Sequence, residues 1–403
     1  MPSWVRCALM SVILAISAVA APRSGDQEEI NRPNAEIAIG PSHGDVAGAI
    51  SAAASYLERA CDSDGKFAYR INFRTGQEAS TYDIIRHSGA MYALAMRNGS
   101  QRDSQAAEAV LRAAAFLRRN YIGPGVRPEQ LAIWSRPLPE RSDAELGATG
   151  LGLVALAAAY KIDPKSIPLE QLQSFGRFLL FLQRDDGSFV SKYRVESGPV
   201  SDWESLYYPG EAALGLIALY ETDHSIQWLY AAARSLAFLA RSRADLPSVP
   251  ADHWSLIATA RLLPYCRQAG CPASRKELLR HAIQICASIL REQITNPSLP
   301  ALDGAFDADG RTAPAATRLE GLLAAMEFLP KDSGKLRALI ETAIERGISF
   351  LLRAQITSGP YAGSMPGALS AGAKDASTIR IDYVQHALCA WLRYQKLFKT
   401  GAP

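Results

Sequence analysis

Carboxylates, arginines, histidines and paired tyrosines recur along this chain in six short clusters, each at the head of an apolar segment. Tyr82-Asp83 stands with Arg86-His87, and Arg141-Ser-Asp-Ala-Glu145 precedes Gly147. Trp203-Glu204 stands with Tyr207-Tyr208 and Glu211. Asp252-His253-Trp254, Thr317-Arg318-Leu-Glu320, and Arg380-Ile-Asp382-Tyr383 with His386 complete the set. Two carboxyl groups flanking a glycosidic bond can hydrolyse it, one as acid and one as base or nucleophile. Glu211 and Asp252 are the expected pair, with Glu320 and Asp382 in reserve. Alternatively, Tyr208 or His253 moves the proton next to a uronic carboxylate in elimination or epimerisation, and Arg86, Arg318 or Arg380 neutralises the enediolate that develops. The others (His87, Tyr207, Trp254, Glu320, Asp382 and His386) are expected to hold the substrate.

Each residue also has a purely structural reading. Thr317-x-x-Glu320 and Ser142-x-x-Glu145 fit a helix capping box. Asp252 fits an N-cap with His253 as a core histidine, Glu211 a first-turn acid, and Arg380 with Asp382 a structural ion pair. Capping alone does not call for Arg, His and paired Tyr beside the cap at nearly every segment, so the clusters are read as a site. No loop has calcium-ligand spacing and no Cys-x-x-Cys occurs, so no metal ligands and no cofactor are assigned, and metal use stays open, since the mouth has enough carboxylates for a calcium.

The elements that must position these clusters are helices. Apolar residues recur with helical spacing near 45–60, 84–97, 104–120, 144–160, 168–183, 209–221, 225–242, 252–266, 274–293, 317–329, 335–355 and 381–397. No strand signal stands between them. Odd members, such as Leu169–Leu182, keep one polar face. Even members, such as Gly147–Ala159 and Ala212–Tyr220, are apolar nearly all round and must be buried on every side. Pro209 fits a first helical turn, which places Glu211 beside the positive end of the dipole.

Glu58…Asp64-Gly-Lys-Phe67, Gln183…Asp186-Gly-Ser-Phe189 and Gln293…Asp303-Gly-Ala-Phe306 repeat one turn after an odd helix, and Gln355…Gly359-Pro-Tyr361 is a looser copy. A repeated helix pair with alternating exposed and buried members predicts an all-α, closed (α/α)6 toroid over residues 45–398, with inner and outer helix rings. An open solenoid would show a more polar inner face. In the closed ring every inner helix starts at the same end, so the six clusters meet at one mouth.

Of the 403 residues, 48% are hydrophobic and 21% charged, the balance of a chain with a large core. Lys+Arg 43 against Asp+Glu 40, with no long basic run, gives no support to nucleic-acid binding. Residues 1–21 read as a secretory signal peptide: Arg6, the apolar run Cys7–Ile16, then Ala18-Val-Ala20. Residues 22–44 read as a flexible lead-in. The expected protein is periplasmic or secreted, with no membrane span after cleavage. In that compartment Cys266 and Cys271 can close a small loop. His281 before Cys286 and His386 before Cys389 read as core neighbours. Oligomeric state is not legible.

Gln183-x-x-Asp-Gly-Ser-Phe189 is similar to the repeat turn on the terpenoid-cyclase side of the α/α-toroid superfamily, and Tyr207-Tyr-Pro-Gly-Glu-Ala212 resembles a stretch in the helical domain of glucuronyl C5-epimerases. That superfamily also holds six-hairpin glycosidases and polysaccharide lyases. The Asp-Asp-x-x-Asp signature of diphosphate-ionising cyclases and the zinc set of prenyltransferases are not evident. The resemblance therefore implies an exported enzyme acting on a polysaccharide or oligosaccharide. Hydrolysis is the first expectation, lyase or C5-epimerase chemistry the second. A non-catalytic glycan- or peptide-binding ring in cell-envelope assembly is the reading of another class.

Overall fold

The first helix opens at His43, and from there the chain alternates helices of two kinds. The computed structural model describes residues 43–399, apart from 141, 201–202, 267–269 and 296–297. Residues 1–21, expected as a signal peptide, residues 22–42 of the expected lead-in, and Arg141 lie outside the described residues. Twelve helices follow in order: α1 His43–Ala60, α2 Ile84–Gln101, α3 Ser104–Asn120, α4 Leu146–Ile162, α5 Leu169–Leu182 and α6 Tyr208–Asp223; then α7 Ile226–Ser242, α8 His253–Leu262, α9 Arg275–Glu292, α10 Thr312–Met326, α11 Gly334–Ala354 and α12 Ile381–Lys399.

The even helices form the inner ring. Each packs on the next, α2 on α4, α4 on α6, and so on to α12, which closes on α2. Their composition explains this: α4 and α6 are buried along almost their whole length, and two glycines let their backbones touch. A Cβ on Gly215 would lie 2.5 Å from the Gly150 carbonyl oxygen, and one on Gly150 would lie 2.6 Å from the Ala212 nitrogen. Gly215→Ala is therefore expected to force these helices apart and cost about 1–3 kcal/mol, read as a lower urea midpoint at unchanged m-value.

The odd helices form the outer ring, tied by a repeated latch. Gln183, Gln293 and Gln355, each capping the C-terminus of an outer helix, donate through Nε2 to carbonyls of the next one, Ala231, Ala343 and Ala49 (2.9, 2.8 and 3.0 Å). After them comes a turn glycine with positive φ: Gly187 at 93°, Gly304 at 87° and Gly363 at 93°. Any side chain at these glycines would run into the backbone of the same neighbouring helix. After α1 the turn keeps Gly65, but Cys61 takes the glutamine's place, its Sγ 3.8 Å from the Ala109 carbonyl oxygen. The last latch, from α11 to α1, closes the circle.

Connections at one end, from inner to outer helix, are mostly short, as between Gln101 and Ser104 or Asp223 and Ile226, the stretch from Leu262 to Arg275 being the longest. At the other end they are long and lead from outer to inner helix. Contrary to the sequence reading, these long connections contain strands: β1 Arg70–Asn72, β2 Ile122–Pro124, β3 Leu131–Ile133, β4 Asp143–Glu145, β5 Lys192–Arg194, β6 Gly198–Pro199 and β7 Thr378–Arg380. All are two or three residues long, too short to show alternation. The antiparallel pair β1–β7, with Arg70 opposite Arg380, joins the connections that follow α1 and α11. Cys266 and Cys271 are disulfide-bonded, while Cys61, Cys286 and Cys389 are buried thiols. Among the described residues no helix is long and apolar enough to cross a membrane.

Candidate active site

At the end where the inner helices begin, a cavity of about 340 Å³ is lined by Asp83, Arg86, Tyr207, Tyr208, Glu211, His253, Trp254, Arg318, Asp382 and His386, with Arg311 and Gln385. That volume is within the range of small-molecule sites. Side chains from α2, α6, α8, α10 and α12 thus meet; the sixth expected cluster does not line the cavity, since Asp143 pairs with Arg194 and Glu145 with Lys192.

Glu211, in the first turn of α6, is only 4% exposed, and its Oε2 has no hydrogen-bond partner among the described residues. Gly147 of α4 leaves the space it occupies, since a Cβ there would strike the carboxyl group and the Tyr208 ring. Burial, reinforced by the negative charges of Asp252, Asp83 and Glu145, pushes its pKa up to about 8, against the pull of Arg86. Glu211 is a neutral acid at pH 7.

Asp382 has the opposite electrostatics. Burial would raise its pKa, but the hydrogen bonds and charge of Arg380, with the charge of Arg86, hold it below the ordinary value. Arg380 grips both its oxygens at 2.6 and 2.9 Å, and Arg86 reaches it at 3.1 Å while also pairing with Asp83. This quartet of alternating charge is a fixed wall. Arg380 belongs to it from outside the cavity lining.

His253 opens α8 at 2% exposure, between the rings of Tyr207, Trp254 and His386, whose centroids lie 5.3, 4.8 and 5.5 Å away. Neither ring nitrogen has a hydrogen-bond partner among the described residues. Burial first, then the charges of His386 and Arg318, drives its pKa well down, so the imidazole is neutral. His386 is held differently: its Nδ1 lies 2.6 Å from Glu320 Oε1. The Gln385 Nε2 amide lies 3.1 Å from the same Nδ1, and Nε2 of the ring is left to exchange a proton. Tyr208 is kept a phenol by burial and by the nearby carboxylates of Glu145 and Glu211.

Three residues expected at the site serve the fold or act from behind it. Asp252, expected as half of the hydrolytic pair, is fully buried and outside the cavity lining. Its Oδ1 caps α8 at Ser255 N (3.1 Å) and its Oδ2 accepts from Arg243 at 2.8 Å. His87 is a core histidine, 2.8 Å from the Tyr82 hydroxyl and 3.0 Å from the Ala113 carbonyl. Glu320 stands behind His386, inside α10. The capping boxes are not formed: α10 starts at Thr312, with Pro314 in its first turn, and Glu145 pairs with Lys192 at 2.8 Å. No spacing signal points to the Glu320–His386 pair, whose members lie 66 residues apart.

A larger cavity, about 790 Å³, lies at the other end of the ring, among Tyr92, Glu221, Arg261, Tyr265, Glu327 and Arg393. Its carboxylates are paired, Glu221 with Arg261 and Glu327 with Arg393. Among the described residues, no buried acid or imidazole without a partner lines it. The smaller cavity is therefore the candidate site.

Fold and site together define a six-hairpin (α/α)6 toroid with a polar mouth at the starts of its inner helices. Among solved structures the chain resembles a D-mannose isomerase (TM-score 0.66, 11% identity, 88% of this chain and 98% of that one). It also resembles the cellobiose 2-epimerase of Bacillus thermoamylovorans B4167 (0.67, 12%, 87% and 98%) and a GH76 α-mannanase of Bacteroides thetaiotaomicron (0.61, 13%, 88% and 97%). This chain shares their fold. No family model matches the sequence, and no curated protein matches it.

Proposed function

We propose that the chain is a carbohydrate-active enzyme that moves a proton on the carbon beside a sugar carbonyl, as an epimerase or aldose–ketose isomerase does. The observation that carries this reading is the pair His253 and His386 on one cavity wall: one ring buried with both nitrogens unpartnered, the other oriented by Glu320. His253 is suited to take the proton, because a neutral imidazole without hydrogen bonds keeps its lone pair. His386 is suited to return a proton through Nε2. Glu211, neutral at pH 7, can donate to the oxygen on which enediolate charge develops, and a donor in a dry cavity stabilises that charge strongly. The names of the isomerase and epimerase neighbours support the same class of chemistry.

Hydrolysis is the second reading, supported by Glu211 as a ready general acid. Its base is harder to supply: Asp252 is turned into the fold, and Asp382 is gripped by two arginines. A ring that only binds glycan has no need to bury an unpartnered imidazole and a protonated carboxyl group together. The apolar run Cys7–Ile16 and the Ala18-Val-Ala20 site support export, so that the sugar is met outside the cytoplasm. The test is incubation with reducing mono- and disaccharides and with uronic acids in deuterated water. Deuterium at the carbon beside the carbonyl, read by NMR, is the expected result; no exchange with any of them, alongside cleavage of a glycoside, would favour hydrolysis.

A further inference from the structure

The wall built by α8, α10 and α12 has a second property, independent of what sugar enters. Both nitrogens of His253 and Oε2 of Glu320 are buried without a hydrogen-bond partner among the described residues, in side chains 2% and 0% exposed. One donor atom from each of His253, Glu320 and His386 can be chosen so that all lie within 4.8 Å of one another. A buried polar atom left unpartnered has lost its hydration without a replacement hydrogen bond. Several such atoms converging from separate helices favour an occupant that accepts lone pairs. A water offers two protons; a cation accepts all the donors at once.

We infer that His253, Glu320 and His386 form a site for a divalent transition-metal ion of the Zn²⁺ class. Two imidazoles and one carboxylate make a borderline-soft set that suits zinc and its neighbours, and one carboxylate is too few oxygen ligands for Ca²⁺ or Mg²⁺. The donors need only draw in to about 3.3 Å apart to meet an ion at about 2.1 Å, a shift within reach of side-chain rotation. The bond from His386 Nδ1 to Glu320 Oε1 opens as the ion replaces the shared proton. Because the three ligands come from three inner helices, bound metal pins them together. Metal and proton compete for the same lone pairs, so zinc is expected to inhibit proton transfer. That inhibition rests on the function proposed above; binding does not.

The full chain, freed of metal by chelation and gel filtration, is titrated with ZnCl₂ by calorimetry and with CoCl₂ by visible absorption. One ion per chain is expected, with cobalt bands of a low-coordinate nitrogen–oxygen site. Affinity should fall at least tenfold in both His253→Ala and Glu320→Gln, the second being nearly isosteric and checked by circular dichroism. Zinc should raise the melting temperature of the parent and not of the variants. No stoichiometric binding, or equal binding in both variants, overturns the inference. In the exchange assay, zinc that meets these binding criteria without inhibiting removes His253 and His386 from the proton path and leaves the metal site standing. Binding that meets every criterion in a protein with no exchange activity upholds the metal site and removes the proposed function instead.

Discussion

His253→Ala is expected to slow solvent-deuterium exchange into the sugar by about 10³-fold or more while leaving the melting temperature nearly unchanged. A positioned general base is worth about 10²–10⁴-fold, and His253 is the ring whose lone pairs the fold leaves uncommitted. Stability should barely move because the lost side chain makes no hydrogen bond; what packing Tyr207 and Trp254 lose is offset by two polar atoms no longer desolvated. His386→Ala should lose as much activity, and the double variant little more, since two residues that share one proton path are not additive. Glu320→Gln should lose less, because it acts through the orientation of His386. Rates by NMR and melts by circular dichroism check all four proteins. A core histidine would give the reverse pattern, a large drop in stability and a modest one in rate.

Glu211→Gln should make the protein more stable, and the gain should depend on pH. In the folded chain the group's pKa is about 8, against 4.5 as the ordinary value. A raised carboxyl pKa leaves stability intact below about pH 4.5, where both states are protonated. Above that the unfolded chain releases the proton and the folded chain does not, and each pH unit costs about 1.4 kcal/mol until pH 8. At pH 7 the accumulated cost is about 3 kcal/mol, and the amide removes it. The variant should therefore melt higher at pH 7–8 and match the parent at pH 4. Equal melting at both pH values would mean that the carboxyl is well solvated or paired. Destabilisation at fixed net gain of activity is the usual trade at a site built for function.

The ring was legible because its inner helices cannot hide. A segment such as Gly147–Ala159, apolar all round and full of small residues, has no stable place except inside a second layer. The mouth was legible because Arg, His and paired Tyr stand at the heads of such helices, where capping alone calls for none of them. What escaped was pairing at a distance. Asp252 is claimed by Arg243, and a charge partner nine residues upstream looks no different in sequence from a bystander. Glu320 looked like the end of a capping box because Thr317 stands three residues before it, yet Pro314 had already started the helix. The recurring glutamines Gln183, Gln293 and Gln355 stood out as repeats, while their bond to the next helix appears only once the helices are side by side.

The latch from Gln355 to Ala49 makes the hairpins a circle, and a circle has a fixed census. A linear stack can gain or shed a unit at either end at the cost of one interface. Here, taking out any hairpin severs two, leaves a gap no neighbour can span, and splays the acids and imidazoles that a common rim had gathered. Diversification in this architecture must then proceed through the long connections around the opening, whose length and residues can change while the count of six stays put.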